Sequence, residues 1–463
     1  MKRFLRSLVL VLIRLFGASG AYKAAQSASK KVSATPRILL IRPDHLGDLV
    51  LTTPILHALK QHAPNAHITM MVGPWSSEVI ARHPDMDRIL TCPFPGFQRI
   101  PQKALDPYFL LFSVAKQLRR GQYDLGINLR PDFWWGAALL YMARIPHRIG
   151  YKLKPGGPFL SHAVQFWSPE HATVSNLRLA SDALQALGYS TLEEPYTPEL
   201  YPLQFIPTAE EHQWVTERLN KEGITTPYIV GAGLAPALET PILETLSLEI
   251  PVLEPSTPEK CTLENTAMNA PTLTTPAPYI VIHPGSGAAV KLWRTEGWSV
   301  CADTLTKSLT ISTPVRIMLT GSKNEQPMLE EIARGMKSPA VLVTDATIGQ
   351  LAALLGRALL VLSVDSGPLH LAVAQGTPTL QLFGPTDPRI FGPWGKHERH
   401  IVLASTHRCP TCPTIPCGRL DFSPQELVDH PCVRLITEQQ VLVPIDKLIA
   451  FLKRDSDTGK RTQ

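Results

Sequence analysis

At 463 residues the chain is too long for one ordinary hydrophobic core, and its 44% apolar content excludes a disordered polypeptide, so two folded domains are expected. The formal net charge of +6 is too modest to call for a nucleic-acid partner, but it is unevenly placed. No Asp or Glu precedes Asp44, whereas Lys2, Arg3, Arg6, Arg14, Lys23, Lys30, Lys31 and Arg37 do, which directs that end of the chain at an anionic surface.

The first segment, MKRFLRSLVLVLIRLFG, has the pattern of an amphipathic helix. Arg3, Arg6 and Arg14 fall on one side at helical spacing, and Leu5, Leu8, Val9, Leu12, Ile13 and Phe16 on the other. The uninterrupted apolar run Leu8–Ile13 is far too short to span a bilayer, so a helix lying in the membrane interface is expected. A signal peptide is the rival reading, because small residues follow at Gly17–Ala21; Arg14 within the apolar region counts against it. Residues 18–35 are small, polar and basic and read as a linker.

The stretch RILLIRPDHLGDLVLTTP (Arg37–Pro54) organises the rest of the chain. Ile38–Ile41, bounded by Pro36 and Pro43, reads as a buried strand. Leu51, Ile55 and Leu59 mark a helix that fades before Pro64, with either Thr53 as its cap and Pro54 at the first position, or an earlier start and a bend. Asp48 then sits in a strand-to-helix loop at the carboxyl end of a strand, where open α/β sheets bind and react ligands. Gly47 leaves room for a ligand near the backbone. Asp48 is a general base, a ligand-orienting acceptor or a capping carboxylate; the loop by itself favours capping.

Strand-like and helix-like segments alternate from there. Strands are expected at 67–72, 88–90 and 123–128, an extended piece at 148–150, and helices at 109–120, 137–143 and 176–187. This rhythm calls for a parallel sheet covered by helices. Residues 195–207 are proline-rich and read as an interdomain connection. After a helix at 209–219, PYIV occurs at Pro227–Val230 and again at Pro278–Val281. The simplest reading is a strand interrupted by a disordered insert, Ala232–Pro278, with an apolar run at Ile242–Leu253 that suits a short docked helix. The alternation resumes with strands at 279–282, 315–319, 341–343, 359–363 and 379–383, helices at 296–305, 327–336, 348–355 and 370–374, and a last helix at 441–452. Two such sheets imply a cleft between them.

Three strand-end loops carry ligand-binding chemistry. In HPGSGAAVKLWR, Gly285, Ser286 and Gly287 expose backbone N–H groups and Lys291 adds a cation, a set suited to phosphate; a glycine turn beside a solvated lysine is the bland alternative. In VDSGPLHLAVAQGTP, Asp365, Ser366 and Gly367 turn into a helix bearing His370 on its first turn. Asp365 caps that helix or accepts from a sugar hydroxyl, and the neighbouring phosphate loop favours ligand binding. In LTGSKNE, Glu325 grips ribose hydroxyls or stands as a helix-start carboxylate.

Of the seven cysteines, Cys92, Cys261 and Cys301 are scattered and read as buried thiols, with no disulfide framework and hence a reducing compartment. CPTCPTIPC (Cys409–Cys417) with His430 and Cys432 has the donors for zinc, but its irregular spacing and prolines favour thiols packed in a loop.

Taken together, RPDHLGDLVLTTP, HPGSGAAVKLWRTEGW, SVDSGPLHLAVAQGTPTLQLFGPTDP and the Cys-rich loop ending HPCVRLITEQQV resemble glycosyltransferase family nine, the ADP-heptose:lipopolysaccharide heptosyltransferases. The resemblance runs from about Arg37 to Leu452, the insert apart. It implies an α/β, GT-B architecture: a basic segment and linker at 1–35, a Rossmann-like acceptor domain at 36–205, and a Rossmann-like nucleotide-sugar domain at 206–463 containing the insert at 232–278. It implies Asp48, after Gly47, as catalytic base and Lys291 as the diphosphate-binding lysine. Gly285 and Ser286 would contact phosphate, Glu325 the ribose, and Asp365, Ser366, Gly367 and His370 the donor. The implied reaction is inverting transfer of a heptose-type sugar, from ADP-heptose, to a lipopolysaccharide-core or related glycan. It needs neither cofactor nor metal, and places the enzyme in the cytoplasm at the inner membrane surface. The alternatives are a nucleotide-sugar-binding protein without turnover, a family member using another sugar, and a nicotinamide oxidoreductase, against which the missing GxGxxG argues.

Overall fold

A computed structural model describes residues 2–28, 33–97, 103–224, 278–308 and 315–459. Two six-stranded parallel sheets form its frame. The first contains β1 (Arg37–Arg42), β2 (His67–Val72), β3 (Arg88–Thr91), β4 (Leu125–Asn128), β5 (His147–Tyr151) and β6 (His162–Val164), in the spatial order 3-2-1-4-5-6. The second contains β7 (Tyr279–His283), β8 (Arg316–Thr320), β9 (Ala340–Val343), β10 (Leu360–Val364), β11 (Thr379–Phe383) and β12 (His400–Ala404), in the order 12-11-10-7-8-9. β1 and β7 each lie where the strand order reverses, the point at which open parallel sheets bind ligands.

The continuous apolar runs explain the central strands. Ile38, Leu39, Leu40 and Ile41 are fully buried, as are Ile280, Val281 and Ile282, because helices cover both faces. β6 and β12, which the sequence pattern did not signal, are edge strands. β6 has two exposed residues and one half-buried one, and along β12 (HIVLA) burial varies from residue to residue, so neither forms a fully buried run. The first PYIV copy and the Ala232–Pro278 insert lie outside the described residues, apart from Pro278 itself; the second copy forms the start of central strand β7. Cys261 also falls outside them.

The loop expected after β1 is helical. Leu46–Val50 forms a short helix, and after a turn Pro54–His62 forms another with Pro54 at its start. Both readings of Pro54 therefore hold in part, because the first helix ends and the proline opens the second. Thr53 gives no side-chain cap; its hydroxyl donates to the Val50 carbonyl at 2.7 Å.

The N-terminal helix also runs further than its apolar pattern, over Lys2–Ala28, so residues 18–28 are helix and not linker. Those residues are rich in alanine, the strongest helix former. They dock on helix Trp134–Met142 and the residues that follow it. A Cβ on Gly17 would overlap the Tyr141 ring and one on Gly20 the Arg144 side chain, so glycine permits the approach. Tyr141 donates its hydroxyl to the Arg14 carbonyl at 2.8 Å. Leu10, Ile13 and Ala21 are buried in this contact, while Leu12 and Phe16, 42% and 83% exposed, face outward. The apolar face read as one thus divides in two.

Candidate active site

Each residue singled out for chemistry lies at or just beyond the carboxyl end of β1, β7, β8 or β10. Asp48 is in the first turn of helix Leu46–Val50 but does not cap it. Its carboxylate accepts instead from Arg42, at the end of β1, at 3.1 Å. Asp44 takes the greater share of the local positive charge: Arg42 Nε lies 2.7 Å from Asp44, and Arg130, beyond the end of β4, pairs with its other oxygen. Asp44 is nearly sealed, with 3% of its side chain exposed, whereas Asp48 keeps 31% open.

This arrangement sets the Asp48 proton affinity. Desolvation by its surroundings raises it, and the Asp44 charge raises it further. Arg42 and Arg130 pull it back, leaving a pKa raised from 3.8 to about 6. A carboxylate so placed holds a proton more readily than an ordinary aspartate yet is ionised at neutral pH, as a general base requires. Asp44, Arg42 and Arg130 were not found from the sequence. The signal for them was weak: an arginine at a strand end and an RPD in each of the two strand-end loops.

On the second sheet, Lys291 donates to Asp365 at 2.7 Å. The same Asp365 oxygen accepts the Thr386 hydroxyl at 2.6 Å from the loop after β11. Asp365 is therefore not the helix cap, a position held by Ser366 without a capping bond. Ser366 Oγ lies 2.9 Å from Ser363 Oγ, and Ser286 donates to the Asp365 carbonyl at 3.4 Å. The two loops are thus sewn together by these bonds and by the Lys291–Asp365 pair. Glu325 makes a capping box with Ser322, accepting from its amide at 2.7 Å. A Cβ on Gly285 would overlap the Glu325 carboxylate, so the acid and the phosphate loop are in contact. Thr386 is a further residue that sequence reasoning missed; it sits in a GPTDP turn that reads only as a loop.

The two halves meet at two glycines. A Cβ on Gly367 would come 3.0 Å from the Gly47 backbone nitrogen, and one on Gly47 3.0 Å from the His370 ring and 3.1 Å from the Gly367 Cα. The side of Gly47 on which a Cβ would stand is therefore occupied by the second sheet's helix Gly367–Ala374. This approach sets the Asp48 helix against the start of the Asp365–His370 turn. His370 is 4% exposed, and burial lowers its pKa to about 4 despite the neighbouring Asp365, so its imidazole is neutral at pH 7. A second bridge lies nearby: His171 stacks on Trp394 at 4.8 Å, and Trp394 donates to the Tyr201 carbonyl at 2.7 Å.

Comparison with known proteins gives the family and the fold. The model of glycosyltransferase family 9 (heptosyltransferase) matches residues 111–212 and 241–417. Lipopolysaccharide heptosyltransferase 3 of Escherichia coli strain K12 is 25% identical over 405 residues, 86% of this chain and 96% of that one. Lipopolysaccharide heptosyltransferase 1 of Pseudomonas aeruginosa is 34% identical over 136 residues, 29% of this chain and 36% of that one. Among solved structures, a family 9 glycosyl transferase from Veillonella parvula DSM 2008 superposes with TM-score 0.64 at 20% identity, covering 91% of this chain and 98% of that one. The E. coli heptosyltransferase WaaC with ADP gives TM-score 0.56 at 17% identity, covering 89% and 99%. The architecture is GT-B, and the chain belongs to glycosyltransferase family 9, the heptosyltransferase family.

Proposed function

We propose that the protein transfers a heptose-type sugar from ADP-heptose to a lipopolysaccharide-core or related glycan in one inverting displacement, with Asp48 as base. The observation that carries this reading is the juxtaposition of Asp48, raised to about 6, with the Lys291–Asp365 turn across the Gly47–Gly367 contact. The names of its relatives support the choice of sugar and acceptor, and the bound ADP of one structural neighbour supports the nucleotide.

In this reading the acceptor lies on the first unit and the donor on the second, with Gly285, Ser286 and Gly367 offering backbone N–H groups to the diphosphate. Lys291 has three N–H donors, and Asp365 occupies one of them, leaving others for diphosphate. Asp48 removes the acceptor proton as the hydroxyl oxygen bonds to the anomeric carbon, and the bond to the diphosphate breaks on the opposite face. Lys291 and the amides stabilise the departing charge, so the step requires no metal. Incubation with a panel of nucleotide sugars tests the reading: ADP release from ADP-heptose that depends on the acceptor is expected. Equal release from another nucleotide sugar would refute the donor, and tight binding without release would make the protein a binder.

The membrane part of this reading rests on Val11, Leu12, Leu15 and Phe16, which are 54%, 42%, 66% and 83% exposed on the N-terminal helix near exposed Arg14. Helix Asp106–Arg120 shows Phe109 and Phe112, 68% and 47% exposed, and docks on the same Trp134–Met142 helix. No described helix is long and apolar enough to cross a membrane. Apolar side chains framed by basic ones bind an anionic interface. Replacing Leu15 and Phe16 with Glu leaves the docked Leu10 and Ile13 intact, and should abolish sedimentation with anionic vesicles while preserving transfer to a delipidated acceptor. Unchanged sedimentation would refute the membrane role.

A further inference from the structure

Between β12 and the helix Glu438–Gly459 lie residues 405–437, whose only regular element is a single 3₁₀ turn, Glu426–Asp429. Connections of this length without structure of their own are uncommon in compact domains. This one is nevertheless placed firmly against the donor site. Gly418 donates its amide to the Pro385 carbonyl at 2.7 Å, one residue from Thr386 and its bond to Asp365. A Cβ on Gly384 would overlap Val433 and come 3.0 Å from the Cys432 sulfur. Downstream, Trp293 donates to the Ile436 carbonyl at 2.9 Å, and Arg294 to those of Arg434 and Ile436 at 2.8 and 2.9 Å. The segment thus braces two loops at once: the one carrying Thr386 and the one carrying Lys291.

Its own interior holds soft metal donors. Cys409 and Cys412 face each other across a turn closed by the Cys412 amide on the Cys409 carbonyl at 3.0 Å. One ligand atom from each, with one from His430, lies within 4.8 Å of the others, and Cys412 Sγ is 3.4 Å from His430 Nδ1. His430 comes from a stretch of chain eighteen residues further on and is held by the Phe422 ring at 3.8 Å and by Thr411. Cys432 is within hydrogen-bonding reach of Cys409, and Cys417 of Cys412. A lone buried thiol is an ordinary small hydrophobe. Four thiols and an imidazole converging from separate parts of one loop, with Cys412 and Cys417 only half-buried, are not what apolar packing produces.

We propose that Cys409, Cys412 and His430, with Cys432 or Cys417 as fourth donor, bind one structural transition-metal ion that staples this segment behind the nucleotide-site loops. Three thiolates and one imidazole in a tetrahedron, two of the thiolates in a C-x₂-C turn, suit zinc, with mononuclear iron the competing soft-ligand ion. The ion shares no ligand with Lys291, Asp365 or Asp48, so it takes no part in the displacement. The proposal departs from the packed-thiol reading of the Cys-rich loop.

The test is metal analysis of the full chain purified without chelator. About one zinc per chain is expected, as for a closed four-ligand site. About one iron per chain would support the site and change the ion. Exchange with Co²⁺ should give tetrahedral ligand-field bands and thiolate-to-metal charge transfer. The Cys409→Ser/Cys412→Ser variant should lose both the ion and these bands and unfold at a lower temperature. If that variant does not fold, the cobalt spectrum of the wild-type chain alone decides. Metal below ~0.1 per chain even after zinc addition, or these cysteines recovered as disulfides by mass spectrometry, would overturn the proposal. The readout is the ion itself, so it stands or falls apart from which sugar is transferred.

Discussion

Asp48→Asn is expected to bind ADP-heptose as the wild type does and to turn over roughly 10²- to 10⁴-fold more slowly, the usual cost of losing a general base. Asparagine keeps an oxygen for the Arg42 guanidinium, which lies 3.1 Å from Asp48, so the local geometry survives. What disappears is the proton acceptor. The same substitution should not lower the melting temperature. Desolvation and the Asp44 charge raise the Asp48 pKa from 3.8 to about 6, so ionising it costs the folded state more than the unfolded one. That cost grows as pH rises from about 3.8 to about 6 and is then constant, and the amide removes it. In the wild type kcat/KM should therefore fall about tenfold per pH unit below about 6 and level off above it, a slope absent from the variant. Wild-type turnover by Asp48→Asn would remove Asp48 from the mechanism, and a wild-type profile flat down to pH 4 would refute the raised proton affinity.

Lys291→Ala is expected to weaken donor binding and slow transfer together. Lys291 is mostly buried, with 16% of its side chain exposed, and its charge faces Asp365 and the phosphate loop. A charge-assisted hydrogen bond to diphosphate is worth about 1.5–3 kcal/mol, roughly ten- to a hundredfold in affinity. The charge that develops on the leaving diphosphate adds a loss in kcat of about a hundredfold, comparable to deleting one preorganised donor. Removal of the lysine also leaves Asp365 with the Thr386 hydroxyl as its hydrogen-bonding partner and an uncompensated negative charge beside the phosphates. Isothermal titration with ADP and steady-state kinetics separate the two effects. Unchanged affinity and rate would make Lys291 a loop-bracing cation only.

The parallel sheets were legible because fully buried strands such as Ile38–Ile41 and Ile280–Ile282 are unbroken apolar runs between turn residues. Candidate residues were legible because they sit at strand ends, a position that periodicity fixes to within a residue or two. Their partners were not. Asp44 faces Arg130 from eighty-six residues away, and Thr386 reaches Asp365 from the next strand's loop; only the closed fold makes them neighbours. The helix Leu46–Val50 was hidden because it lasts little more than one turn, too short to show a period. Gly47 was read as room for a ligand, and the fold also brings His370 and Gly367 to 3.0 and 3.1 Å from where its Cβ would stand, since nothing local tells a glycine what will approach it. The N-terminal helix was read with one apolar face where it has two, because a docked face and an outward one are both simply apolar in sequence.

The proposed mechanism is one displacement, with Asp48 acting on the acceptor and Lys291 on the diphosphate. The most direct measurement is the anomeric configuration of the transferred sugar, read by NMR from the one-bond coupling at its anomeric carbon in product made from a donor of known configuration. The single displacement predicts a configuration opposite to that in the donor for all of the product. Retention would require a second displacement through an enzyme-bound sugar and would contradict the assignment of Asp48 as base.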